Sequence, residues 1–292
     1  MSIQVFKNIR DALGNLNPDA IQKHTERPLR LFLYADTEGQ YRQMEDFFIP
    51  RDVSEARRLQ IRHQVYRASE GFVPTSTGDL EIYFDESPER AAGAGNAFAF
   101  SPAEPRYMIQ NVLARRPDLA IPLGLHIPPF REEVSRRMIK KVAKENALFA
   151  LATAVPDIIP FISLPWAVGE FASDTAVLTA NQIRMAFVLA AANDREVGYS
   201  EQKTEIASII AGAFGWRALA RELVGKIPWG AGMVPKAAIA FAGTYVVGLS
   251  LERYYRLGRR YTRSERRLAY ADALERGRKF VATFLDGVRQ RS

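Results

Sequence analysis

Four polar side chains along one stretch of the sequence form a stripe whose carboxylates and arginine could do acid–base work. Glu170, Asp174, Asn181 and Arg184 fall within about 80° of one another on a helix that turns ~100° per residue, and the rest of that run is largely apolar. A carboxylate beside an arginine can hold or move a proton, although nothing in the run marks a nucleophile. Asp174 and Arg184 cannot pair with each other, because ten residues at ~1.5 Å rise set them about 15 Å apart. Their partners must come from other segments, with Arg217, Arg221 and Lys226 as candidates. The preferred expectation is a structural ion-pair network that fixes helix register, since a buried charge without a partner costs several kcal/mol. The functional alternative is a polar pocket or partner contact, and a hydrolase-type enzyme would use Glu170, Asp174 and Arg184.

A second candidate is the stretch Leu31 to Met44, "LFLYADTEGQYRQM". A short apolar strand meets a glycine and a polar helix, the layout of a phosphate-binding loop. The nucleotide loop reads G-x-x-x-x-G-K-[ST], and its register here falls on Tyr34, Gly39, Gln40 and Tyr41. The second glycine is present. The lysine that holds the terminal phosphates is glutamine, the magnesium-binding hydroxyl position is a tyrosine, and the first glycine is also a tyrosine. "YFDESPE" at 83–89 only loosely matches an acidic metal-binding segment, and no Asn-Lys-x-Asp segment occurs. An ordinary strand–turn–helix is the simpler expectation, and a degenerate GTPase-like fold the sharper one. Neither supports hydrolysis of nucleotide.

Gly230 and Gly232 precede a helix and Lys236, and a glycine-rich entry to a helix can hold an anion; a plain turn needs the same glycines. His24, His63 and His126 have no companion spacing for a metal. The chain lacks cysteine, which excludes thiolate metal sites, disulfides and a cysteine nucleophile. No metal and no cofactor are expected.

The elements that must position these residues divide the chain of 292 residues. The expected fold is mainly α. Residues 1–118 read as a small α/β domain: strands at 29–35 and 78–86, helices at 38–47 and 53–68, with Val53, Ala56, Ile61 and Val65 as a loose stripe. Residues 119–260 read as a helical domain, with helices from Arg131, from Trp166 to Ala192, from Ser200 to Gly225 and from Lys236. Gly212, Gly215, Gly243 and Gly248 give it small helix faces that let backbones approach closely. Residues 261–292 read as a basic C-terminal helix whose stripe is Leu268, Leu274, Val281, Phe284 and Val288.

Charge is uneven along the chain. Residues 253–292 hold 12 Arg and Lys against 4 Asp and Glu, a net of +8, while the whole chain is +7. Concentrated positive charge suits an acidic surface. Two basic, apolar-flanked segments point to an anionic membrane: Arg136, Arg137, Lys140, Lys141 and Lys144, and the C-terminal arginines beside Phe280, Phe284 and Leu285. The alternative is an integral hairpin through 147–169, where Asp157 is the one charge, and 237–251. Nucleic acid is disfavoured, because the tail matches no fold for reading bases. The N-terminus shows no secretory signal.

The helical half also resembles a known family. "ALFALATAVPDIIPFISLPWAVGEFASDTAVLTANQIRM", the glycine-bearing helix, "KIPWGAG" and "AGTYVVG" are similar to the YcjF-type bacterial helical domain, domain of unknown function family 697, over about 145–260. The resemblance implies a GTPase-associated helical module, because members often sit behind or beside a GTPase and some are membrane-associated. It implies a GTPase or other protein partner, and supplies no catalytic residue. The expectation is therefore a non-enzymatic adaptor, a pseudo-GTPase at the inner face of the cell membrane, with self-association left open.

Overall fold

The structure, a computed structural model, describes residues 14, 16–68, 79–84, 95–154, 174–212 and 233–290. It is mainly helical, with one small sheet in the N-terminal part. Two compact units are present: a sheet unit of Ala20–Arg136 with Ala191–Glu196, and a helical unit of Met1–Asp19, Arg137–Ala190 and Val197–Ser292. Residues 119–136, assigned from the sequence to the helical domain, belong to the first. Residues 261–292, assigned as a separate tail, belong to the second.

The sheet has four parallel strands in the order β2-β1-β3-β4: β1 Arg30–Tyr34, β2 Val65–Arg67, β3 Asp79–Phe84 and β4 Ala97–Phe100. Helices α1 Pro18–Thr25, α2 Glu38–Phe48 and α3 Glu55–Arg62 precede β2 or flank β1. Register puts Leu31 opposite Leu80, Leu33 opposite Ile82, Ile82 opposite Phe98 and Phe84 opposite Phe100. Period-two alternation therefore sends these residues to one face. There they meet Met44 and Phe48 of α2, Ile61 of α3, and Met108, Ile109, Val112 and Leu113 of α4, Pro105–Arg115. Each such side chain removed from water contributes ~1.5–3 kcal/mol. The opposite face carries Phe32 stacked on Tyr66 at 5.5 Å and Tyr34 on Tyr83 at 4.5 Å.

The helix expected over 53–68 ends early. After His63 the chain turns, and Val65–Arg67 pairs with β1, Leu31 N donating to Gln64 O at 2.7 Å and Ala68 N to Leu33 O at 2.9 Å. A β-branched residue and an aromatic side by side fit a pleated surface better than a helix.

Short α5, Ala120–His126, ends the sheet unit's run before α6, Arg131–Ala152. The helical unit continues with α7 Asp174–Ala192, the described part of α8 at 203–212, α9 Met233–Leu257 and α10 Arg263–Arg289. Helices α9 and α10 form an antiparallel hairpin, Arg253 meeting Glu265 and Phe241 meeting Phe280. Glycine permits close approach at two places. A Cβ on Gly248 would lie 2.7 Å from Ile139 Cγ1 and 3.1 Å from Met185 Sδ, and one on Gly277 would lie 3.0 Å from the Ala238 carbonyl.

The buried seam of α10 is Tyr270, Ala273, Leu274, Gly277 and Val281. Leu268 does not join it. It stands two residues, about 200°, from Tyr270, and is 75% exposed. Phe280, Phe284 and Leu285 are not a free apolar face either: they pack against Ala143, Ala147, Leu151, Ala237, Phe241 and Val281.

Among the described residues one stretch, Thr175–Ala192, is long and apolar enough to cross a membrane, and most of it is buried inside the protein. Helix α9, which contains 237–251, is not such a stretch. Most of 147–169 lies outside the described residues.

Candidate functional site

Strand order reverses direction between β1 and β3, and ligands of doubly wound sheets bind beyond the carboxyl ends of the strands at such a point. The stretch matched to a phosphate loop leaves β1 there. Its turn is only three residues long, Ala35 to Thr37, before α2 begins. Thr37 is the N-cap: its hydroxyl accepts from Gln40 N at 3.3 Å. The Gln40 side chain folds back, and its Oε1 accepts from Asp36 N at 2.8 Å and Thr37 N at 3.0 Å. This reciprocal arrangement is a capping box. Of the backbone N–H groups that a phosphate oxygen could take at this helix entrance, those of Thr37 and Gln40 are thus held by the chain's own side chains, as is that of Asp36 just before it.

The other loop positions have structural partners as well. Tyr41 sends its hydroxyl to Ala68 O at 2.7 Å, and its ring lies 5.2 Å from the Arg67 guanidinium. Arg67 in turn bridges Glu38 and Glu45 at 2.7 Å each. Its guanidinium, followed by that of Arg42, holds the Glu38 carboxyl below its ordinary pKa. Tyr34 caps the sheet by stacking on Tyr83; burial, then the Glu81 carboxylate, pushes its phenol up. Gly39 is exposed, with open space where a Cβ would go apart from Thr37 Oγ1 at 3.9 Å.

The polar stripe of α7 does not converge on one centre. Asn181 Nδ2 donates to Asn146 Oδ1 at 2.6 Å. Asn146 Nδ2 donates to Thr244 Oγ1 at 2.8 Å and to Leu178 O at 3.2 Å, and Gln182 Nε2 reaches the same hydroxyl at 3.1 Å. Arg184 pairs instead with Glu145 at 2.7 Å. The stripe therefore meets two consecutive residues of α6, one neutral and one charged. The side chain of Asp174 and all of Glu170, Arg217, Arg221, Gly230 and Gly232 lie outside the described residues. Lys236 Nζ donates to Thr153 Oγ1 at 3.0 Å. Asn146, Gln182 and Thr244 were not singled out from the sequence. One Asn, Gln or Thr in an apolar helix is uninformative, and the signal lies in their meeting from three helices.

The sheet unit holds another cluster that sequence reading missed. Arg57 pairs with Asp194 at 3.2 Å and also donates to Leu125 O. Arg131 donates to Gly124 O at 2.9 Å and Leu125 O at 3.1 Å, and lies 3.9 Å from Asp194. The two guanidiniums satisfy carbonyls left over at the end of α5. Asp194 has φ +60°, a left-handed conformation that Asp tolerates. His126 lies beside this cluster. Burial first, then Arg57, hold its imidazole below the ordinary pKa, against a pull from the Thr25 backbone and Asp194. His24 and His63 are exposed. Among the described residues no group of three or more His, Asp or Glu could hold a metal ion.

Comparison with known proteins finds no matching family model, no matching curated protein and no matching solved structure.

Proposed function

We propose that this chain is a non-enzymatic adaptor or regulator in a GTPase-linked system, working at the cytoplasmic face of a membrane. The observation that carries the reading is Gln40. Where a nucleotide hydrolase presents open N–H groups and a lysine, this chain presents a helix start closed by its own side chain. In this reading the strand–turn–helix is a pseudo-GTPase element kept as a binding surface, and a protein partner performs the turnover. The resemblance of 145–260 to the YcjF-type domain supports the link to a GTPase. The net +8 of residues 253–292 supports an acidic, membrane-side location.

The test is affinity capture from the host with the full chain as bait, in GDP and in a non-hydrolysable GTP analogue. Capture of a GTPase whose recovery changes with the nucleotide supports the reading. GTP or ATP turnover by the purified chain itself, lost on changing Gly39 or Gln40, overturns it.

A further inference from the structure

We propose that the turn joining α9 and α10 is the part of this protein that docks on an anionic lipid surface. Arg259, Arg263 and Arg266 would face the headgroup phosphates, and Leu257 and Leu268 would enter the interfacial layer. The proposal rests on the membrane-side reading above and specifies which part of the chain makes the contact.

Residues 252–268 contain seven arginines and two glutamates, a net of +5. Both carboxylates are already committed within the hairpin. Glu252 pairs with Arg256 at 2.8 Å, and Glu265 pairs with Arg253 at 2.8 Å while capping α10 through Thr262 N. Arg260 donates to Ser208 Oγ at 3.1 Å and lies over the Tyr254 ring at 4.8 Å. Arg259, Arg263 and Arg266 are exposed and have no acidic partner among the described residues. Positive charge is left over at this turn.

Apolar surface is left over at the same end. Leu257 is 56% exposed and Leu268 75%. A basic cluster flanked by exposed leucines fits a lipid interface, where charge attracts the leaflet and the leucines enter it. Nucleic acid fits less well. The aromatic rings here are taken, Tyr254 by Arg260 and Tyr261 by Arg253, so they offer no stacking platform for bases.

The turn is also held in shape before any partner arrives. Gly258 adopts φ +68° as α9 ends, its N–H donating to Tyr254 O at 2.8 Å. A capping box of Thr262 and Glu265 starts α10. A preordered turn loses little conformational freedom on docking.

The other basic segment is less free. Arg136 pairs with Glu133, and Lys144 lies over the Phe280 ring at 5.1 Å, with burial holding its pKa down. Lys140 and Lys141 remain exposed there.

Truncating α10 would not test this, because its Tyr270, Ala273, Leu274 and Val281 are core residues. The experiment uses the full chain and exposed side chains. Sedimentation is measured with vesicles of phosphatidylcholine plus phosphatidylserine and of phosphatidylcholine alone, at low and high salt. The variants are Arg259→Gln/Arg263→Gln/Arg266→Gln, Leu257→Ser/Leu268→Ser, and Lys140→Gln/Lys141→Gln as the rival site. The unaltered chain should bind the acidic vesicles and weaken as salt rises. The triple arginine variant should lose binding on the order of 100-fold, about fivefold per charge, with an unchanged melting temperature. The leucine variant should lose a smaller part that salt does not mimic, and the lysine variant should bind like the parent.

If the triple variant binds as the parent does, or only the lysine variant loses binding, the turn is not the docking site while the membrane reading stands. If the unaltered chain never sediments, both fail. Tighter binding to a single-stranded oligonucleotide than to acidic vesicles, abolished in the triple variant, would make the turn a nucleic-acid surface.

Discussion

Arg57 and Asp194 in the sheet unit meet at 3.2 Å with side chains 15% and 46% exposed. Asn146 and Thr244 in the helical unit meet at 2.8 Å with no exposure at all. The first pair is ionised and keeps one partner in water. The second is neutral and completely sealed. Other ion pairs of the sheet unit repeat its pattern: Arg116 with Asp118, and Arg67 with Glu38 and Glu45, all retain a solvated side chain. Desolvating a charge costs far more than desolvating an amide, so polar chemistry follows depth and not the unit: the sheet unit also seals a neutral pair, Asn193 with Ser135 at 3.3 Å, and the helical unit keeps its Arg184–Glu145 pair partly in water. Charge ties down helix ends and strand edges near the surface, and amides and hydroxyls set register where water is absent.

The largest effect that should separate the two regions comes from Asn146→Ala. It leaves the Asn181 amide and the Thr244 hydroxyl short of partners inside the core and should cost about 3 kcal/mol in chemical denaturation. Asn146→Leu combined with Asn181→Leu, which removes the amide pair together, should cost less than the sum of the single changes. A loss below about 0.5 kcal/mol for Asn146→Ala would show that the network does not hold the helices in register.

Gly248→Ala should come next, at about 2 kcal/mol, because the added carbon meets Ile139 at 2.7 Å. Ile139→Ala, which removes both γ carbons that the added carbon meets, should cost less in this background than in the parent, a partial recovery of the loss. No recovery would point to backbone freedom, not crowding, as the reason for the glycine.

A third measurement uses pH to address the sheet unit alone. Below the ordinary histidine pKa of about 6.5 the unfolded chain takes up a proton that folded His126 resists. Its contribution is therefore complete above pH ~6.5 and declines as pH falls toward the lowered folded value. The slope is at most one proton, about 1.4 kcal/mol per pH unit. Hydrogen exchange near α5 should accelerate on moving from pH 7 to 5, after correction for intrinsic rates, while amides around Asn181 and Thr244 keep their protection. His126→Gln should flatten the response. Equal acid sensitivity in both regions would break the contrast.

The smallest effect belongs to Gln40→Ala, about 0.5 kcal/mol, since the released N–H groups sit at the surface and can turn to water. Gln40→Lys should lose the same cap and give no turnover of GTP or ATP in a phosphate-release assay.

Much of this architecture was legible in the sequence. Strand β1, the start of α2 after Thr37, the span of α6 and the span of α10 all follow from apolar runs and breakers that act locally. Thr37 with Gln40 and Thr262 with Glu265 also carry a readable capping-box spacing, although the first coincides with the register of a phosphate loop. The break inside 53–68 was not legible, because Val65 suits a helical stripe as well as a strand until β1 supplies its partner. The tertiary groupings were also hidden. Arg57 and Asp194 lie 137 positions apart, and nothing in either neighbourhood names the other. Leu268 fitted an apolar stripe by type, and only the seam through Tyr270 shows that it points elsewhere.

The self-closed entrance to α2 also bears on what this chain could become. Glutamine and lysine are one base change apart, so the missing phosphate lysine is within easy mutational reach. Taking that step removes the Oε1 that secures Asp36 and Thr37, and the new lysine would enter a turn of three residues, too short to wrap a phosphate. Any lineage moving toward nucleotide binding would give up this part of the cap, about 0.5 kcal/mol, before gaining a ligand to replace it. The intermediate has a weaker cap and no phosphate site in return, so each such step is a small cost in the stability of α2 with no gain to offset it.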